Sequence, residues 1–187
     1  MWLKIQPEGA GALTFEWGST RPYPCVYRVG RESIQRHSRR IRGILEKLSP
    51  WSQFKNPQQL CTLLKELAEE GAALRFTIFD CPEKAAEITE LQNWISDQFS
   101  AGEKDLTITA DSNLNVPWGF AFDGDAAALG NSNDPTAYNE FWSLKFKLSM
   151  VFSASGWPPK GGRPRASYKL LSMINSDVLG ECPASRA

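Results

Sequence analysis

Apolar and polar residues alternate one by one in three short pieces near the front of the chain, Trp2 to Ile5, Leu13 to Trp17 and Cys25 to Val29. Period-two alternation fits a pleated strand with one buried face. Gly9-Ala-Gly11 and Gly18-Ser-Thr-Arg-Pro-Tyr-Pro24 separate the pieces. Residues 1–30 therefore read as a small β meander, either an appendage or extra edge strands of the main body. From Glu32 to Leu48 the spacing changes: Ile34, Ile41, Ile44, Leu45 and Leu48 stack on one side at helical spacing. Arg36, Arg39 and Arg40 take the other faces and Arg42 a flank, and Ser49-Pro50 ends the helix. A second helix opens with Asn56 as N-cap, Pro57 at the first helical position and Gln59 three residues after the cap. It buries Leu60, Leu63, Leu64 and Leu67 and is expected to close at Gly71.

Ala73 to Phe79 (ALRFTIF) reads as a strand, and Asp80-Cys81-Pro82-Glu83 opens a third helix with Asp80 or Cys81 as cap. Its expected stripe is Ala85, Ile88, Leu91, Trp94, Ile95 and Phe99. Alternation returns at Asp105 to Ala110 and leads through a turn to Asn115-Val116-Pro117-Trp118. Pro117 locks its own φ and pushes Val116 to the extended region, so a stiff backbone aims the Trp118 indole. Asp123 to Asn139 reads as a long surface loop, Glu140 to Lys145 as a helical turn and Phe146 to Phe152 as a strand. An exposed connector, Ser153 to Arg165, precedes a buried strand at Tyr168 to Ile174. Helix, helix, strand, helix, strand in the middle of the chain predicts an α/β fold. Its sheet is expected to be mostly parallel, with helices on its faces and a right-handed crossover.

Composition changes this picture little. The chain has 187 residues, 42 % apolar and 22 % charged, which suits one core. With 21 basic and 21 acidic residues, no field of the whole molecule selects nucleic acid or an anionic membrane. The front has no apolar signal region and no run reaches spanning length, so a soluble, cytoplasmic protein without membrane contact is expected. Cysteines 25, 61, 81 and 182 share no short spacing. Neither a zinc site nor a disulfide framework is signalled, and reduced thiols are expected.

A cysteine peptidase needs a thiolate within reach of an imidazole. The one imidazole is His37, on or beside the apolar face of the first helix, where a packed border residue is the expectation. Cys81 is the candidate reactive thiol, because a helix start after a parallel strand lowers a thiol pKa. Its plainer reading is a cap or a small buried residue, and Cys61 reads as core-edge. Asp123 and Asp125 read as a solvated turn, since the remaining ligands of a calcium loop are missing. Arg28 to Lys47 carries seven basic residues against two acidic ones, so Arg36, Arg39, Arg40 and Arg42 form a candidate contact patch. A solvated face or an acidic protein partner fits it better than nucleic acid, for which no groove-fitting motif accompanies the arginines. Neither metal nor cofactor is implied.

Several short motifs then fall in one order: Gly71-Ala-Ala-Leu74 to Phe79, Asn93-Trp94-Ile95, Asp105-Leu-Thr-Ile108 with Asp111, Asn115-Val-Pro-Trp118, and Phe141-Trp142 to Leu148-Ser149. In this order the region from Arg31 to Asp177 resembles the front part of CHAT domains, the caspase-like modules often found beside tetratricopeptide repeats. In that family a strand leads to a Pro-Trp-Glu turn, a variable loop, another strand and then the first strand of the caspase-like core. The resemblance implies a partial caspase-like sheet over 31–177, a tail at 178–187, and a structural signature of Asp105, Asp111, Pro117, Trp118 and Trp142. Gly119 stands where the family prefers an acid. The family's catalytic His, in a His-Gly context, and its Cys would both follow Asp177 and have no counterpart, so no catalytic residue is carried over. What is implied is a non-catalytic front section serving as a scaffold or interaction piece, not an enzyme by itself. The alternatives are one part of a cysteine endopeptidase completed by a downstream or separate chain, and a basic-helix nucleic-acid-binding module. A truncated sheet would expose an apolar edge, so self-association or binding of a missing half is expected.

Overall fold

In the computed structural model, which describes residues 1–9, 11–49, 57–111, 114, 116–127, 129 and 135–153, all three front pieces form strands. β1 (Trp2–Glu8), β2 (Ala12–Gly18) and β3 (Pro22–Gly30) run as antiparallel neighbours. β1 also pairs in parallel with β4 (Asp105–Asp111), which pairs in parallel with β5 (Lys147–Ser153). The result is one five-stranded sheet in the order β3-β2-β1-β4-β5. It is mixed, with two parallel and two antiparallel pairings, in place of the mostly parallel sheet that the order of elements predicts. The front strands are three of its five strands. Leu3 stands opposite Trp17 on one side and Ile108 on the other, so β1 lies inside the sheet rather than in an appendage.

Four α-helices accompany the sheet among the described residues: α1 (Arg31–Leu48), α2 (Pro57–Ile78), α3 (Ala85–Ser100) and the short α4 (Trp142–Lys145). The major correction is α2. Gly71 does not close it and Ala73 to Phe79 is not a strand, because the helix runs unbroken to Ile78. Leu60, Leu64, Leu67, Ala68, Leu74 and Ile78 are buried along it, most of them three or four residues apart. A strand over 73–79 would have put Leu74, Phe76 and Ile78 on one face, yet Phe76 is 70 % exposed while its two neighbours in that set are fully covered. The helical period therefore outweighs the β-prone composition of ALRFTIF. Pro57 does occupy the first position of α2, while its expected cap Asn56 lies outside the described residues. So do the connector beyond Ser153, the strand expected at 168–174 and the tail at 178–187.

The described chain divides into two compact units. The first comprises Met1–Ile34, Thr77–Val116 and, among the described residues, 146–153; the second comprises Gln35–Phe76 and Pro117–Lys145. In the first unit, period-two alternation delivers Leu3, Ile5, Leu13, Phe15, Trp17, Cys25, Tyr27, Val29, Leu106, Ile108 and Ala110 to buried positions. Aromatic pairs tie this layer together: Phe15 stacks on Tyr27 at 5.5 Å between ring centres and Trp17 on Phe79 at 5.8 Å. α3 packs against β3, with Tyr23 and Trp94 at 4.9 Å. Its fully buried stripe is narrower than expected, Ile88 and Leu91, and Ala85 is exposed. The Trp17 indole N–H donates to the Tyr27 hydroxyl at 3.1 Å. Burial pushes the Tyr27 phenol well above its ordinary value, and that hydrogen bond opposes the shift.

In the second unit, Pro117 leads into a 3₁₀ turn, Trp118–Phe120, and a second 3₁₀ segment, Pro135–Glu140, precedes α4. The stretch expected as a surface loop turns Ala126, Leu129 and Tyr138 inward. Phe122 pairs with Phe141 as an isolated antiparallel bridge, their rings 4.8 Å apart. Gly71 of α2 allows a close approach here: a Cβ on it would stand 2.1 Å from the Phe120 carbonyl oxygen, and its own carbonyl accepts from the Phe122 N–H at 3.2 Å. Its role is steric fit, not helix termination.

Candidate functional site

Three of the five signature residues come together in the second unit, where Pro117 opens the turn that carries Trp118. Trp118 is 1 % exposed and Trp142 is buried as well, and α4 packs on the Trp118–Phe120 turn. The Trp142 backbone N–H donates to the Ala121 carbonyl at 2.9 Å, and the Ser143 hydroxyl donates to the Gly119 carbonyl at 2.6 Å. Phe141 meets Phe120 edge-on at 6.3 Å. Gly119, where the resembling family has an acid, is thus engaged through its backbone. The other two signature residues, Asp105 and Asp111, belong to the first unit. Asp105 is exposed and pairs with exposed Lys147 at 3.1 Å, while the Asp111 carbonyl accepts from the Leu114 N–H at 2.9 Å.

The second unit's polar centre is Asp123, for which the sequence predicts only a solvated turn. One of its oxygens accepts from the Arg75 Nε and from the Trp142 Nε1 (the latter at 3.0 Å), and the other from the Lys145 ammonium at 2.7 Å. Lys145 also meets Glu140 at 3.2 Å. Two cations thus balance two carboxylates around a half-buried anion, a favourable arrangement when each charge is hydrogen-bonded. Burial works to lower the Lys145 pKa, but the Asp123 and Glu140 carboxylates outweigh it and hold the ammonium above its ordinary value. Arg75 lies 48 residues from Asp123 along the chain, so no local spacing announces the pair. Engaged on both oxygens by three donors, Asp123 ties the 117–145 segment to α2.

His37, expected as a packed border residue, does hold a defined contact. Its Nδ1 donates to the Glu70 carboxylate at 2.5 Å, and Arg40 reaches the same carboxylate at 3.6 Å. The imidazole and carboxylate are 15 % and 14 % exposed, so this is a half-buried link between α1 and α2 within the second unit. His37 pairs with a carboxylate, while Cys25 and Cys81 belong to the first unit. Of the basic patch, Arg36, Arg39 and Arg40 are exposed and Arg42 is partly covered, with Arg40 already turned to Glu70. Among the described residues no three His, Cys, Asp or Glu side chains gather as a metal site.

Cys81 lies at the N-cap position of a three-residue 3₁₀ turn, Pro82–Lys84, and makes no side-chain capping bond. The element preceding this turn is the end of α2, not a parallel strand, so the strand-to-helix setting expected to activate the thiol is absent. Cys81 instead lines an open cleft of about 690 Å³ in the first unit, with Glu8, Thr14, Val26, Tyr27, Arg28 and Lys84 among its walls. Lys84 donates to the Val26 carbonyl at 2.7 Å, which covers part of the edge of β3. On another wall, the Thr14 hydroxyl and the Arg28 guanidinium hold the Glu8 carboxyl below its ordinary value, against an opposing effect of burial. Cys25 and Cys81 are free thiols, whereas Cys61, expected to be reduced, is disulfide-bonded. No described helix is long and apolar enough to cross a membrane. Compared with known proteins, the chain matches no family model, no curated protein and no solved structure.

Proposed function

We propose that this chain is a non-catalytic front section of a CHAT-type caspase-like module that acts as a scaffold or protein-interaction piece. The observation that carries the reading is the anchored Pro117-Trp118 turn. It follows β4, keeps its indole covered, receives α4 through Ser143 and Trp142, and leads to β5, which pairs with β4 in parallel. That order is the one the resemblance implies around the family's Pro-Trp turn. The chain's one imidazole is engaged by Glu70, which supports a role without peptide cleavage. Exposed Arg36 and Arg39 on α1 would face an acidic protein partner.

A panel of acylated fluorogenic peptides tests the proposal. No turnover is expected from the purified chain, and turnover abolished by Cys81→Ala would overturn the reading. Turnover that arises only when a second chain supplies a His and a Cys would instead establish the chain as part of a split endopeptidase.

A further inference from the structure

We propose that Cys25 and Cys81 form an oxidant-responsive dithiol, and that their disulfide fastens the 79–84 turn onto β3. The proposal is independent of the functional reading above. Cys25 lies on β3 with its side chain on the buried face, in line with Tyr27 and Val29. The segment carrying Cys81 is held against that same layer at both ends. Before it, Phe79 stacks on Trp17, whose indole donates to Tyr27. After it, Lys84 is hydrogen-bonded to the carbonyl of Val26, the residue next to Cys25. Between these ties, Cys81 lines the cleft together with Val26 and Tyr27. Both thiols are free, and Cys81 has no capping bond to hold it elsewhere. Burial pushes the Cys25 thiol up; Lys84 opposes the shift, and the charges of Glu87 and, less, Cys81 add to it.

These surroundings divide the labour between the two sulfurs. Cys81, partly exposed in the cleft, meets a two-electron oxidant such as hydrogen peroxide first. Its thiolate attacks one peroxide oxygen, the O–O bond breaks, and the departing hydroxide takes the thiol proton as water, leaving a sulfenic acid on Cys81. The Cys25 sulfur then attacks that sulfur and the S–O bond breaks. Its proton leaves with the hydroxyl as a second water, and two electrons have passed from the two thiols to the peroxide. Buried Cys25 is the resolving partner, sheltered from direct oxidation until the sulfenic acid forms beside it.

Treatment of the full chain with a small excess of peroxide, followed by alkylation and peptide mapping without reductant, tests this. A cross-linked peptide pair containing Cys25 and Cys81 is expected, with alkylation of both falling about tenfold together and returning after dithiothreitol. In Cys81→Ala, Cys25 is expected to stay alkylatable under the same treatment. The wild-type map alone decides the matter if that variant folds poorly. Oxidation of Cys81 to the sulfinic acid with Cys25 still alkylatable would overturn the proposal, as would chains cross-linked to one another through Cys81.

Discussion

The two compact units are held together in different ways. In the first, five strands share a continuous ladder and one buried apolar face, so each side chain is one of many that exclude water. In the second, much depends on a few particular contacts: the Gly71 approach to Phe120, the donors around Asp123, and the His37–Glu70 link. A distributed apolar layer loses stability in proportion to the area removed. A carboxylate that gathers several donors, or a close approach that only a glycine permits, rests on a single residue and is the more sensitive to its replacement.

The sharpest way to break this comparison is Gly71→Ala. An alanine gains about 1 kcal/mol of helix propensity over glycine, but its Cβ would meet a backbone oxygen at 2.1 Å, which a rotamer change does not relieve. A net loss of about 3 kcal/mol is expected in urea unfolding, and an unchanged midpoint would refute this sensitivity. Next comes Asp123→Ala, which leaves Arg75, Lys145 and the Trp142 indole without their shared acceptor. A loss of about 2 kcal/mol is expected for this half-buried group, together with a change in tryptophan fluorescence from Trp142.

Alkaline pH weakens both units by a smaller effect, through a different residue in each. Lys145 has a raised pKa in the folded state, so its contribution is fully present below its ordinary value of 10.5 and is lost as pH rises through the folded value. Tyr27 has a raised pKa because burial favours the neutral phenol, so the folded state again retains protons that the unfolded chain gives up. Both units therefore weaken as pH rises above about 10. Lys145→Met should flatten that decline through the second unit and Tyr27→Phe through the first, as read from denaturation midpoints over a pH series. The smallest effect belongs to Asp105→Ala. Its pairing with Lys147 is exposed on both sides, and a change under about 0.5 kcal/mol is expected. A larger loss would mean that this signature aspartate has a structural role its exposure does not reveal.

The alternating strands are legible in the sequence because a strand with one covered face writes its burial directly as period two. Leu106, Ile108 and Ala110 are buried as their spacing predicts, and so are Leu13, Phe15 and Trp17. The first helix is legible at its own period, although of its expected stripe Ile34 and Ile41 are buried and Ile44, Leu45 and Leu48 only partly covered. The end of α2 is not, because β-branched and aromatic residues cluster in ALRFTIF and a glycine before them looks like a stop. The competing helical stripe through Leu67, Gly71, Leu74 and Ile78 is visible only if Gly71 is counted as a buried position. That status comes from Phe120, far along the chain, which the local sequence does not announce.

The candidate sites divide in the same manner. Sequence alone determined the strand periods, the stiff turn at Pro117, and the presence of a single imidazole, since each depends on residue type and near neighbours. Tertiary structure decided that β1 is an inner strand paired with β4, that His37 meets Glu70, and that Asp123 is a clamp instead of a solvated turn. It also set Cys81 in a cleft beside β3, the strand that carries Cys25. The physical reason is range: covalent geometry and side-chain periodicity act within a few residues, whereas ion pairs, close approaches and strand order join positions that only the folded chain brings into contact.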